Sequence, residues 1–268
     1  MADGKKKGSN NTKLYVAIGV IIVVVLVLVA FSTMDLTPAQ DNQPVNSTQI
    51  AQMASIAENN TLANQVKAGI ATQDVPASVI GSPLLKFNGK PGILYIGADY
   101  CPYCAATRWS LIIALMRFGT FSNLRYMTSD PSDVFPNTVT FTFYNATYSS
   151  NYISFVGVET LTNTKQPLQQ PNQTEISLAN KYDTAQGQPI PFIDFGNRDV
   201  QVGAIYSPGG VLTGKDWQQV ISLMGNGSTV QSQAIIGGAN QFTAAICSMD
   251  NNTPSSVCDQ PYVTALQN

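Results

Sequence analysis

The sequence predicts a mixed α/β domain, a sheet with helices on both of its faces. Three observations predict it. Short apolar runs suited to strands alternate with helical patterns through the middle of the chain. Two strand-like runs, at 191–195 and 200–206, then precede another helix. A further run, Gly92 to Ala98, feeds directly into Cys101-Pro102-Tyr103-Cys104 at the start of a helical pattern.

The elements follow in order. Residues 32–48 are polar, contain two prolines and read as a linker. Residues 49–83 read as a helical extension, with Ile50, Met53, Ile56, Ala57, Leu62 and Val66 at helical spacing over 49–72, then a loop from Asp74 to Pro83. The main domain is expected over 84–228. In it, Gly92 to Ala98 is a buried strand, and 102–118 a helix with Pro102 in the first turn, where proline is tolerated. Trp109, Ile112, Ile113 and Met116 supply that helix's buried side. Residues 123–128 read as a strand. Residues 138–145 and Tyr152 to Thr160 read as two more, expected to pair as a hairpin within an insertion at about 131–172. Phe141, Phe143, Tyr144 and Tyr148 would form the packed face of that hairpin or, alternatively, a binding surface. Residues 174–183 fit a short helix, 213–224 a second, and 230–248 a third that opens a tail at 229–268.

Composition narrows the chemistry. Of 268 residues, 44% are apolar, an ordinary share for a folded chain. Only 11% are charged, less than half the usual share of roughly 25%. The surface must therefore be built from Ser, Thr, Asn and Gln, which stay hydrated over a wide pH range and suit an exterior, acidic setting. There is no histidine, which excludes Ser-His-Asp and Cys-His nucleophile pairs and removes the commonest neutral metal ligand. Lys5, Lys6, Lys7 and Lys13 face Asp3 in the first 13 residues, so the remainder holds 10 basic and 15 acidic residues, a net of −5. Such a domain has no electrostatic footprint for nucleic acid.

Leu14 to Phe31 is 18 residues without a charge. At about 1.5 Å per residue it reaches roughly 27 Å, close to a bilayer's hydrocarbon thickness. The expectation is a transmembrane anchor at 14–31, a cytoplasmic tail at 1–13 and the large domain outside, because the lysines lie on the N-terminal side. The alternative is a cleaved secretory signal ending near Ala30-Phe31-Ser32; both readings export the domain. Asn46, Asn59, Asn145, Asn172, Asn226 and Asn251 each begin an Asn-x-Ser/Thr glycosylation sequon. Chance alone supplies several in a chain so rich in these residues.

The four cysteines form two pairs of different character. Cys247 and Cys258 are separated by ten intervening residues in the tail, and outside the cell they read as a structural disulfide worth roughly 2–3 kcal/mol, with a second redox centre as the alternative. Cys101 and Cys104 sit where a strand hands over to a helix. A thiolate there meets unpaired N–H groups and the positive end of the helix dipole, which lowers its pKa. Cys101, the outer residue, is placed to meet a substrate sulfur. Cys104, one turn in, is placed to resolve the mixed disulfide. Asp99 either opposes thiolate formation or relays a proton. The competing readings are an inert disulfide and a metal site, which would need all four cysteines to converge.

The stretch GILYIGADYCPYC, with a strand before and a helix after, resembles the thioredoxin superfamily. Its CPYC core is similar to that of glutaredoxins, and its setting to that of exported disulfide oxidoreductases. Together with the apolar run, polar linker and low charge, it resembles an archaeal family of uncharacterised, membrane-tethered thioredoxin-like proteins carrying a domain of unknown function. The resemblance implies a thioredoxin-like fold over about 85–225, preceded by the transmembrane helix, interrupted by the inserted β-hairpin and followed by the disulfide-closed tail. It implies that Pro191 is cis and faces the cysteines, with Pro189 as the rival position. It also implies that Tyr100, Pro102, Tyr103, Ile190 and Pro191 line the substrate site, Ile190 pairing through its backbone with a substrate strand. The chain departs from the pattern in three ways: Gly92 to Ala98 holds no buried acid, 86 residues separate Cys104 from Pro191, and no glutathione signature is present. The expected activity is membrane-tethered thiol–disulfide exchange on exported proteins, with no cofactor or metal and with a membrane redox partner. The rival is a non-catalytic cell-surface protein built on the same scaffold.

Overall fold

A computed structural model describes residues 40–79, 82–182 and 189–267. The chain divides into two units, residues 1–39 and 40–268. The tail at 1–13, the apolar run at 14–31 and the first part of the linker lie outside the described residues. Among the described residues no helix is long and apolar enough to cross a membrane, which corrects the expected architecture with its N-terminal transmembrane helix. The longest described helix, Val230–Met249, has 20 residues, but Gln231, Ser232, Asn240 and Thr243 interrupt its apolar surface and it is buried in the core instead.

Eight helices and ten strands are described: α1 Ser47–Ala57, α2 Asn60–Val66, β1 Ala77–Ser78, β2 Lys86–Phe87, β3 Lys90–Gly97, α3 Pro102–Met116, β4 Gly119–Ser122, β5 Arg125–Thr128, β6 Val139–Thr142, β7 Thr147–Ser150, β8 Ser154–Glu159, α4 Gln173–Tyr182, β9 Phe192–Phe195, β10 Asp199–Val202, α5 Trp217–Met224, α6 Val230–Met249, α7 Ser255–Cys258 and α8 Pro261–Thr264. The helix expected over 49–72 is two. Asn46 caps the first by accepting from the Gln49 N–H, and Asn59 starts the second by accepting from Leu62.

Strand β3 is the middle of the main sheet. Ile93, Leu94, Tyr95 and Ile96 are buried on both faces, so the run is continuously apolar rather than alternating. β8 pairs with it in parallel, Gly92 opposite Ser154 and Gly97 opposite Glu159. β9 flanks the other side antiparallel, Ile96 opposite Phe192. β10 and then β1 extend that side, and β2 forms a hairpin with the start of β3. Ile93 and Tyr95 join a large apolar cluster with Trp109 of α3 and Phe242 of α6, while Leu94 and Ile96 join a smaller one with Ala179 of α4. Helices therefore cover both faces, as the period-2 display of β3 requires.

The expected hairpin does not form. β6 pairs antiparallel with β5, Tyr126 opposite Phe141, and β7 with β4. β8 instead enters the main sheet, because 154–159 offers a six-residue ladder to β3. Gly157 fits there because an added Cβ would stand 2.7 Å from the Phe143 Cβ. Phe141 and Phe143 pack edge-on against Trp109 and Tyr95, so they are core residues rather than a binding surface. At the far end, Cys247 and Cys258 are joined by a disulfide with a Cα–Cα distance of 5.6 Å.

Candidate active site

The chain leaves β3 at Gly97, turns through Ala98, Asp99 and Tyr100, and enters α3 with Cys101 as its N-cap and Pro102 in the first turn. The Cys101 Sγ accepts the Cys104 backbone N–H at 3.3 Å, so a sulfur occupies the place of the usual capping oxygen. The Cys101 N–H donates to the Ala98 carbonyl at 3.3 Å. Both cysteines are free thiols.

The two sulfurs have opposite surroundings. The Cys101 thiol is held below its ordinary value by hydrogen bonding from the Cys104 thiol, against burial, and further by the Cys104 and Tyr103 N–H groups and the charge of Arg108. Burial pushes the Cys104 thiol well up, and its hydrogen bond to Cys101 adds to this. Access differs less than the sequence suggests. Cys104 is fully buried and Cys101 keeps only 6% exposure, which corrects the expectation of an openly reachable leading sulfur. Two loops are hydrogen-bonded to the turn that carries the motif. The Asp99 N–H donates to Leu161, and the Asp130 N–H to the Tyr100 carbonyl, both at 2.9 Å. Tyr103, 40% exposed, meets the Phe135 ring edge-on at 5.8 Å. Lys165 lies 5.3 Å from the Tyr100 ring and is paired with Asp130 at 2.6 Å.

Beneath the turn lies an ionic cluster that sequence reasoning missed. Arg108 Nε and Nη2 donate to the two Glu159 carboxylate oxygens at 2.8 and 2.7 Å. Nη2 also donates to the Ala98 carbonyl at 2.7 Å and lies 3.6 Å from Asp99 Oδ1. Arg108 and Glu159 are wholly buried. Burial opposes the charge on Arg108, but Glu159, Tyr95 and Asp99 outweigh it and hold the guanidinium protonated. Burial, helped by the Glu159 charge and opposed by Arg108, pushes the Asp99 carboxyl up to about 7. Asp99, directly after Ala98, is 1% exposed. A signal was present: Arg108 is the one charge within Pro102–Met116.

The Ile190–Pro191 peptide is cis. Pro191 is buried, Ile190 half-buried and Pro189 exposed. Pro191 directly precedes Phe192, which lies opposite Ile96, so it sits at the end of β3 from which the cysteine turn departs. Its carbonyl accepts the Gly203 N–H at 2.8 Å. Cys247 and Cys258, bonded to each other, are withdrawn from any four-cysteine metal site. Asn46, Asn59, Asn145, Asn172, Asn226 and Asn251 are all exposed.

No curated protein and no solved structure matches the chain. A family model, described as a domain of unknown function, matches residues 78–248, an interval that holds Cys101, Cys104, Arg108, Glu159 and Pro191. The chain belongs to that family, DUF929.

Proposed function

We propose that the protein is a thioredoxin-like thiol–disulfide oxidoreductase that acts outside the cytoplasm on cysteine-containing exported polypeptides. The observation that carries this reading is the asymmetric pair: a capping Cys101 sulfur held toward thiolate beside a buried Cys104 held as thiol. The strand order β10-β9-β3-β8, with α3 following β3, β8 parallel to β3, and Pro191 leading into β9, supports the thioredoxin-like part. The Cys247–Cys258 disulfide suits an oxidising compartment, and the exposed sequons are compatible with glycans there.

In the reductive direction the Cys101 thiolate attacks one sulfur of a substrate disulfide. A Cys101–substrate disulfide forms, and the other substrate sulfur leaves as a thiolate and takes up a proton. Cys104 then loses its proton and attacks Cys101 Sγ, forming the Cys101–Cys104 disulfide and releasing the second substrate thiol, which takes up that proton. Two electrons pass from the pair to the substrate, and the reverse sequence oxidises a dithiol. In this reading Tyr100, Pro102, Tyr103, Ile190 and Pro191 line the substrate site, as the thioredoxin-like resemblance implies. A membrane redox partner that restores the pair completes the cycle.

Exchange on insulin tests this. Cys101→Ser is expected to abolish it, and Cys104→Ser to accumulate a mixed disulfide with the substrate; retained exchange in Cys101→Ser ends the proposal. The 6% exposure of Cys101 favours a second reading, a closed structural pair on a non-catalytic scaffold. That reading requires a Cys101–Cys104 disulfide that mild reductants cannot open, with a potential below about −300 mV.

A further inference from the structure

Arg108 lies four residues beyond Cys104 and seven beyond Cys101, one and two turns along the same face of α3. The Ala98 carbonyl ties these positions together, because it accepts both the Cys101 N–H at 3.3 Å and Arg108 Nη2 at 2.7 Å. Of the guanidinium nitrogens, Nε and Nη2 are engaged by Glu159 and Ala98. Nη1 is buried and finds no hydrogen-bond partner among the described residues. The titratable groups facing this cation come from every surrounding element: Tyr95 of β3, its ring 5.9 Å away, Asp99 of the turn, Glu159 of β8, and the two thiols of α3. Lys165, the other cation near the turn, is half exposed and committed to Asp130.

Disulfide exchange moves negative charge from one sulfur to the other inside this dry pocket. A fixed cation that needs no reorganisation is worth most there. We propose that Arg108 is a positioning residue that supplies the buried positive charge steadying the thiolates of Cys101 and Cys104, and that Glu159 sets how much of that charge reaches them. The assignment rests on the redox reading above.

The test uses the full chain, reduced at the Cys101–Cys104 pair, and follows iodoacetamide alkylation of Cys101 against pH by mass spectrometry. Arg108→Gln is expected to slow alkylation at pH 7 about tenfold and move its midpoint up by about one unit. Glu159→Gln, which leaves Arg108 unopposed, is expected to act in the opposite direction, and Arg108→Lys to stay within about threefold of the parent rate. Simple loss of structure would move the Gln variants the same way. Shifts in one direction, or none, overturn the assignment. If Arg108→Gln does not fold, unchanged or slower alkylation in Glu159→Gln does so alone. Because alkylation needs no disulfide substrate, opposed shifts without insulin exchange sink only the redox reading, and exchange with unmoved midpoints sinks only the role of Arg108.

Discussion

At Gly97 a missing side chain makes the site possible. A Cβ added there would stand 2.1 Å from the Tyr95 hydroxyl. Tyr95 is wholly buried beside Arg108, so its ring cannot swing into solvent. Gly97→Ala is expected to destabilise the fold by about 1–3 kcal/mol, the usual cost of overpacking, and to disturb the Arg108 cluster. Urea unfolding read by circular dichroism measures the first effect, and Cys101 alkylation the second. Cys101 shows the same economy of position. Its sulfur caps α3 and accepts the N–H that a serine or aspartate would ordinarily take, so the reactive group and the helix cap are one atom.

Among the elements, α3 and α6 are tied to the C-terminal end of the chain. Arg117, just past α3, donates to Thr243 and Asn240 of α6 at 2.6 and 2.9 Å, and the Tyr262 ring of α8 lies 5.0 Å from its guanidinium. The Cys247–Cys258 disulfide fixes the chain between α6 and α7 and so keeps α8 in that contact. Cys258→Ser is expected to lower stability by about 2–3 kcal/mol while leaving the Cys101 midpoint unchanged. Thermal unfolding with and without the substitution checks the loss, and alkylation checks the independence.

For the whole molecule the buried acids set the pH response. Asp99 and Asp194, both hidden, are pushed up by burial to about 7 and about 6. Their folded values lie above the unfolded value of about 3.9. Their contribution to stability is therefore complete below about pH 4 and is lost as pH rises through 6 and 7. Asp130 works oppositely, since its hydrogen bond from Lys165 holds it down at about 2, so its support fades only in stronger acid. The domain is expected to be more stable near pH 4.5 than at pH 7.5. Asp99→Asn should flatten that slope. Chemical unfolding across this range decides it, and a parent protein more stable at 7.5 than at 4.5 would contradict the assignment.

The α/β class, the strand before the cysteines, the helix after them and the strand pair at 192–202 were legible in sequence, because each is written by local apolar periodicity. So were the place of Cys101 at the start of the helix and the Cys247–Cys258 disulfide, which depend on short spacing. The strand partners were not. Residues 139–142 and 154–159 carry the pattern of neighbouring strands, but pattern does not name a partner, and packing around Gly157 and Phe143 sends them to different sheets. Asp99 was marked beside the cysteines, but its partners Arg108 and Glu159 escaped for the same reason: the three lie up to 60 positions apart in the chain, and only the folding of β8 along β3 brings their charges together. Sequence alone determined which groups could react, because side-chain chemistry and helix geometry are local. The tertiary structure decided how strongly the sulfurs are held and how little of Cys101 meets solvent, because burial and Coulomb interaction depend on distance in space.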